Sequence, residues 1–304
     1  MTAETRSVSM REAVDQARAF TKARASNFYY AFSSLPRDKR NAIYAVYAFA
    51  GTVDDAVDES GNDTERFERL RHARTVLDVA CHDEVDPKLE QGWLTIALQR
   101  AIDQYDIPKS YFLELIAGMD QDIRQTRFST YADLELYCYR AAAVIGLISI
   151  EIFGYDGSRR ELAIEAATDM GKALQITNIM RDVKEDAARG RIYLALEDLE
   201  THKYSESDVL ANVDNEAFRS LMADYGRRAE ALYASGLRLI PLLDGPRSRM
   251  CCNGLQGVYH GILSEIIKRN YDVYSERISP SKAGRLLALF RLWISGAWPK
   301  RQPR

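Results

Sequence analysis

The sequence predicts an all-α protein, a single domain of about a dozen helices. Apolar residues recur at helical spacing in every long segment, and no alternation of period two lasts long enough for a sheet. Glycine (17) and proline (8) are sparse in 304 residues, so few turns are needed relative to average usage. No internal repeat and no low-complexity linker divides the chain. The domain is therefore expected to span 1–304, with its core over roughly 10–280 and a basic tail over 281–304.

The elements follow in order. Helical spacing runs from Met10 to Phe20, and a polar break follows. Pro36 then suits the first turn of a helix carrying Ile43, Tyr44, Val46, Tyr47 and Phe49 toward Asp54. The segment SGNDTE supplies a turn and an N-cap before a helix over Phe67 to Val79, and Pro87 and Pro108 open two more. Tyr131 to Phe153 and Arg159 to Asp186 read as long core helices, parted by the turn residues Gly154 to Ser158. After the loop DAARGRIYL come short helices near Leu196 and Ser207. Long ones follow at Asp214 to Leu243, Arg247 to Tyr274 and Ser281 to Ser295.

Composition narrows the function classes. With 41 basic against 44 acidic side chains and a formal charge of −3, nothing attracts nucleic acid in bulk, and no nucleic-acid partner is expected. Cys81, Cys138, Cys251 and Cys252 form no CxxC pair, which fits a reducing compartment. The adjacent pair Cys251-Cys252 reads as helix packing. His72, His82, His202 and His260 lack the spacing of a di-iron or zinc bundle. The start has no signal-peptide core, and no uninterrupted stretch of about 18 apolar residues is found, so a cytoplasmic protein is expected.

Two acidic segments carry the chemistry. In YAVYAFAGTVDDAVDE, Asp54 and Asp58 lie at i,i+4, one turn apart on one helical face. Chance alone supplies about six such acidic pairs in a chain this acidic. The stripe behind them is informative: Ala50, Gly51, Tyr47 and Ile43 are apolar or small, so the pair ends a core-facing stripe where an unpaired charge is costly. In QITNIMRDVKEDAARGRIYL, Asp182 and Asp186 repeat the spacing. Asn178, Gln175 and Gly171 precede them on the same face, between Ile176, Ile179, Met180 and Val183. Carboxylates without neighbouring histidine or cysteine suit Mg²⁺, which keeps waters and takes one or two carboxylates plus phosphate oxygens. The substrate such a site implies is a diphosphate. The plainer alternative is that each pair is a cap or an ion pair, for example Asp182 with a nearby arginine.

These segments resemble the squalene and phytoene synthase family of head-to-head prenyltransferases. The first acidic helix is similar to its first aspartate-rich motif and QITNIMRDVKEDAARGRIYL to its second. YCYRAAAVIGLISIEIFG is similar to a further signature around Tyr137 and Gly146. FYYAFSSLPRDKRNAIYAVYAF and YHGILSEIIKRNYDVYSERI also fit, so the likeness runs from about Asn27 to Arg277.

The resemblance implies an isoprenoid synthase fold, a helical bundle around a central cavity that holds two prenyl diphosphates and a Mg²⁺ cluster between the aspartate helices. Carried over by position, Asp54, Asp58, Asp182 and Asp186 are metal ligands and Asp55 supports them. Gln175, Asn178 and Arg181 fall on positions near metal and phosphate, and Arg277 on a phosphate-binding arginine. Tyr47, Tyr137 and Tyr259 match tyrosines lining the reaction cavity, and Arg191 and Tyr193 lie in a loop expected to close over the site. The implied reaction joins two chains through a cyclopropyl diphosphate. Farnesyl diphosphate and a squalene-type product are slightly favoured over geranylgeranyl diphosphate and phytoene, with dehydrosqualene as a further outcome. Mg²⁺ is the implied cofactor, Mn²⁺ its substitute, and NADPH is needed only if squalene is made.

Three positions depart from the pattern. Gly51 stands where the family often has an arginine, Asn27 where it usually has a serine, and Ala195 where a proline is expected. An arginine at 51 is therefore expected to tighten prenyl diphosphate binding. The tail supplies Lys282, Arg285 and Arg291 beside Leu286, Phe290 and Trp293, an amphipathic pattern that fits either core packing or peripheral contact with an anionic inner membrane surface. Two other classes stay open: a non-catalytic assembly factor of the same fold, and a one-substrate terpene cyclase or phosphatase. Four intact aspartates argue against the assembly factor.

Overall fold

The computed structural model describes residues 8–24, 26–58, 61–82 and 92–278, without the side chains of Ser26, Asn27 and Asp58. The helix expected to open at Pro87 and the basic tail, with its membrane contact, lie outside the described residues. Two compact units emerge, one within Met1–Ile123 and Ile148–Gly154, the other within Arg124–Leu147 and Tyr155–Arg304. Among the described residues there is no strand. The β pairings are two isolated bridges, Arg127 with Ile192 and Tyr155 with Leu243.

The first unit contains α1 (Met10–Arg24), α2 (Ser26–Phe32), α3 (Arg37–Asp58), α4 (Asp63–Ala80), α5 (Trp93–Tyr105) and most of α6 (Lys109–Arg124). Small residues let α1 lie close to its neighbours: Ala13 and Ala17 are fully buried, and α1 packs on α3 and α5. Thr21 Oγ1 donates to the Tyr44 carbonyl at 3.1 Å, tying α1 to α3. Phe49 meets Phe112 edge-on at 5.5 Å. Asn62 and Glu65 form the capping box that starts α4, as SGNDTE predicts. The polar break after α1 holds a seven-residue helix instead, too short for its periodicity to register.

The second unit is organised by α9 (Arg160–Ala188), a 29-residue helix buried along most of its length. Around it lie α7 (Tyr131–Cys138), a π-helical turn (Tyr139–Ala143), the start of α8 (Val144–Phe153), α10 (Leu196–Thr201) and α11 (Glu206–Leu210), followed by α12 (Glu216–Gly236), a 3₁₀ segment (Leu237–Leu242) and α13 (Gly245–Lys268). α9 packs chiefly on α12, the π turn and α13. Gly171 is the closest point of approach: a Cβ there would stand 2.4 Å from the Ala143 Cα. Gly146 repeats the device, with a Cβ position 3.0 Å from the Ala167 carbonyl oxygen. The helix expected to run to Tyr274 stops at Lys268, because Asn270 and Tyr271 take positive φ of 52° and 64°.

The helical run Tyr131–Phe153 is long and apolar enough to cross a membrane by length and composition, with a mean hydropathy of 1.6, and half of that window is buried within the protein. The run carries Arg140 and Glu151, so it is apolar on average and is not the unbroken apolar stretch that the sequence lacks. The run tolerates a few charges, which a count of uninterrupted apolar residues does not.

Candidate active site

In the first unit, α3 carries the first acidic run. Ile43 is buried, Tyr47, Ala50 and Gly51 are half-buried, and Asp54 is exposed. The stripe read as core-facing therefore leaves the unit's core by its last turn. Tyr47 packs edge-on against Phe32 at 4.6 Å and beside Phe28 at 5.2 Å, an apolar aromatic setting. Asp55 pairs with Arg24 of α1 through both guanidinium Nη atoms. Asp58 ends α3 and Asn27 lies in α2, both with side chains outside the description. A Cβ at Gly51 would stand 2.7 Å from the Phe20 ring. Any side chain at 51, arginine included, needs Phe20 to move first.

In the second unit, α9 presents the polar seam its sequence predicts. Gln175, Asn178, Arg181, Asp182 and Asp186 are half-buried, while Ile176, Thr177, Ile179, Met180 and Val183 between them are buried. Arg181 Nε donates to Asp182 Oδ1 at 2.8 Å, and its Nη2 donates to Oδ2. Arg277, which follows α13, adds Nε at 3.1 Å and Nη2 at 3.0 Å, both to Oδ1. Burial alone would raise the Asp182 pKa, but the hydrogen bonds and charges of Arg181 and Arg277 outweigh it and hold the carboxyl below its ordinary range. Arg181 is held above its usual value by the same pairing, against its own burial.

Next to this pair sits an unfinished acceptor. Asn178 Oδ1 is buried with no hydrogen-bond partner, while the same amide makes a hydrogen bond with the Tyr259 hydroxyl. Glu185 Oε2 is a second buried oxygen with no partner, and Glu185 Oε1 lies 3.5 Å from Arg277. Unsatisfied buried oxygens are costly unless a ligand completes them. Burial raises the Tyr259 phenol, against the Arg181 charge and the Asn178 hydrogen bond.

Tyr137 and Tyr193 stack at 5.1 Å, and Phe128 stacks on Tyr193 at 5.8 Å. Asp186, Arg191 and Tyr193 share a small recess with Val183 and Ile192, with room of about 10 Å³, that of about one water. The loop expected to close is already tied down. Ile192 N–H donates to the Thr126 carbonyl at 3.0 Å, Leu196 N–H to Phe128 at 2.9 Å, and Ala195 N–H to the Tyr225 hydroxyl at 2.9 Å. A proline at 195 could not make that last bond.

Among the described residues, no three His, Cys, Asp or Glu side chains gather as a metal-holding group. The second motif nonetheless fits a hard divalent cation: its donors are carboxylate and amide oxygens, and one amide oxygen is buried and unpartnered. Sequence reasoning missed Glu185, Arg24 and Phe128. Glu185 sits one turn from Asp182 and was legible in VKEDA, whereas the other two depend on contacts distant in sequence.

Known proteins decide the family. A squalene/phytoene synthase profile matches residues 21–284. The chain belongs to the squalene/phytoene synthase family. A 15-cis-phytoene synthase of a Synechocystis species is 33% identical over 295 residues, covering 94% of this chain and 86% of the relative. The phytoene synthase of Mycobacterium tuberculosis is 36% identical over 267 residues, covering 86% and 84%. Among solved structures, a squalene synthase from Alicyclobacillus acidocaldarius gives a TM-score of 0.77 at 31% identity, covering 86% of this chain and 95% of that one. A ligand-bound dehydrosqualene synthase gives 0.83 at 26% identity, covering 94% and 96%. The resemblance read from the sequence holds, as does the all-α isoprenoid synthase fold. As a family member, the chain is a prenyltransferase.

Proposed function

We propose that the protein condenses two prenyl diphosphates head to head, using the α9 seam as its metal and diphosphate site. The observation that carries this is the buried, unpartnered Asn178 Oδ1 beside Asp182, on a helix whose flanking residues are fully packed. In this reading Asp182, Asp186 and Asn178 hold Mg²⁺ in the second motif, and Asp54 and Asp58, with Asp55, serve the first. A bound divalent cation draws charge from the diphosphate and eases departure of pyrophosphate. In the same reading Arg181 and Arg277, which hydrogen-bond Asp182, turn their N–H donors to phosphate oxygens. Gln175 lies one turn before Asn178 and orients the same groups, and Arg191 serves the phosphate from the loop.

The allylic cation left behind needs a dry, electron-rich wall. Tyr137 and Tyr193, stacked and buried, offer ring faces rather than water. Tyr259 does the same from α13. The second chain's double bond attacks the cation, and loss of a proton from the resulting carbocation closes the cyclopropane ring, giving a cyclopropyl diphosphate that ionises again.

Chain length divides the relatives: the phytoene synthases weigh toward geranylgeranyl diphosphate, and the squalene synthase structure toward the farnesyl diphosphate that the sequence slightly favours. Incubation with Mg²⁺ and each diphosphate, with and without NADPH, then analysis of extracted lipids, tests the reading. A C30 or C40 hydrocarbon, or its cyclopropyl diphosphate, supports it. Hydrolysis to a prenyl alcohol or a cyclised single chain supports the one-substrate alternative. We place the enzyme in the cytoplasm.

A further inference from the structure

A cation stands inside the second acidic motif. In DVKED, Lys184 falls two residues after Asp182, about 200° further round α9 and so on nearly its opposite side. Its Nζ donates to the Tyr274 carbonyl at 2.6 Å, 90 residues away, on the segment that leads from α13 to Arg277.

That segment is fixed residue by residue. Asn270 and Tyr271, both at positive φ, turn the chain out of α13, a conformation that a tyrosine keeps only when its surroundings hold it. The Tyr271 ring lies against α12 where Gly226 leaves room, 3.4 Å from where a Cβ would stand. Val273, Tyr274 and Ile278 are buried, and the Tyr274 ring stacks on Phe218 at 4.6 Å. Between these anchors one peptide unit is clamped at both ends. Lys184 holds the carbonyl oxygen of Tyr274, and Asp272 Oδ1 accepts from the N–H of Ser275 at 2.9 Å. The same Oδ1 accepts from the Tyr274 N–H at 3.2 Å.

Side-chain packing sets where Tyr274 sits but leaves the peptide after it free to rotate, because each residue keeps two soft torsions. That rotation decides the direction in which the chain runs on to Arg277. A lysine at one end of the peptide and an aspartate at the other remove the freedom, each through a charge-assisted hydrogen bond to backbone. Arg277 then meets Asp182, with its Nε 3.5 Å from Glu185 Oε1. Lys184, Glu185 and Asp182 thus give the segment three points of contact round α9.

We propose that Lys184 and Asp272 are positioning residues for Arg277: by clamping the peptide between Tyr274 and Ser275 they hold its guanidinium over Asp182, ready for a substrate diphosphate. The inference rests on the function proposed above, in which Arg277 serves phosphate. Neither positioning residue touches the substrate.

A double-mutant cycle tests it. Lys184→Ala, Lys184→Arg, Asp272→Ala and Asp272→Asn are made in wild type and in Arg277→Ala. They are compared by calorimetric titration with inorganic pyrophosphate in Mg²⁺, by steady-state kinetics on farnesyl and geranylgeranyl diphosphate, and by melting temperature. In wild type each alanine change should raise the pyrophosphate Kd and the KM about five-fold. The melting temperature of Lys184→Ala should barely move, because position 184 is exposed. Lys184→Arg keeps a donor and Asp272→Asn keeps Oδ1, so both should stay close to wild type. In the Arg277→Ala background the alanine changes should add less than about two-fold, since the group they position is gone.

An unchanged pyrophosphate Kd in either alanine variant would overturn the proposal, which needs both ends of the clamp. So would losses that persist in full without Arg277, because the two residues would then act on the anion or on the fold by another route. Should Asp272→Ala fold poorly, the Lys184 arm of the cycle decides alone. If wild type turns over neither diphosphate, the proposed function fails, while the pyrophosphate cycle still judges the positioning. Wild type that does not bind pyrophosphate overturns the positioning.

Discussion

Arg277 and Asp182, 95 residues apart in sequence, meet through two hydrogen bonds onto one carboxylate oxygen, Nε at 3.1 Å and Nη2 at 3.0 Å. Arg181 covers the other oxygen. The second-motif carboxylate is thus neutralised by two arginines before any cation arrives. In the function proposed above, those arginines pass to phosphate when one does.

Asp182→Asn tests this coupling through pH. The folded carboxyl lies below its ordinary value of 3.8, because Arg181 and Arg277 outweigh burial. Its contribution to stability is therefore fully present above the unfolded value and fades as pH falls through the folded one. Urea unfolding should show a constant gap between wild type and variant above about pH 5, shrinking in acid below that. A gap that widens on acidification contradicts the assignment. Activity, measured as kcat/KM, should fall about 100-fold or more.

Asn178→Leu separates site from scaffold. Removing a buried amide whose Oδ1 has no partner, together with its hydrogen bond to Tyr259, should leave apo stability within about 2 kcal/mol of wild type. Mg²⁺-dependent turnover should drop about 100-fold. Thermal melts and a metal titration of the rate check both halves; a strongly destabilised variant would mean that the amide is structural.

Gly171→Ala should cost about 1–3 kcal/mol, because its Cβ would stand 2.4 Å from the Ala143 Cα, where backbone must shift. Gly257→Ala, on α13 with nothing within 4 Å of its Cβ, should instead gain up to about 1 kcal/mol from helix propensity. Equal melting temperatures for the two variants would refute the close approach of α9 to the π turn.

Arg228→Ala should be among the more damaging changes in the second unit. Arg228 bonds Asp198 at 2.8 and 2.9 Å and lies 4.0 Å from the Tyr131 ring centroid. Its loss leaves a carboxylate that is 6% exposed without that partner, worth about 3 kcal/mol by the usual cost of breaking a buried pair. Denaturant melts measure it, and Asp198→Asn in the Arg228→Ala background should recover part of the loss.

What the sequence made legible was local. The α9 seam stood out because Gln175, Asn178, Asp182 and Asp186 interrupt an apolar helix at its own period, and the structure finds them half-buried between packed neighbours. The capping box at Asn62 was equally plain. Tertiary pairing was not, since Arg24 with Asp55 and Arg277 with Asp182 join residues 31 and 95 positions apart. The π turn at Tyr139–Ala143 was invisible as well, because YRAAA has no composition that a helix lacks. Nor did periodicity show that the α3 stripe emerges at Asp54, for a helix end can leave a core without changing its pattern.

In the function proposed above, aspartate-held Mg²⁺ drives loss of pyrophosphate from a prenyl chain and a second chain captures the result. Pyrophosphate release and hydrocarbon formation from geranylgeranyl and farnesyl diphosphate, followed as Mg²⁺ is titrated into EDTA-treated protein, test it most directly. Both should rise together with metal, and neither should in Asp182→Asn. Metal-independent turnover, or an Asp182→Asn variant as active as wild type, would contradict it.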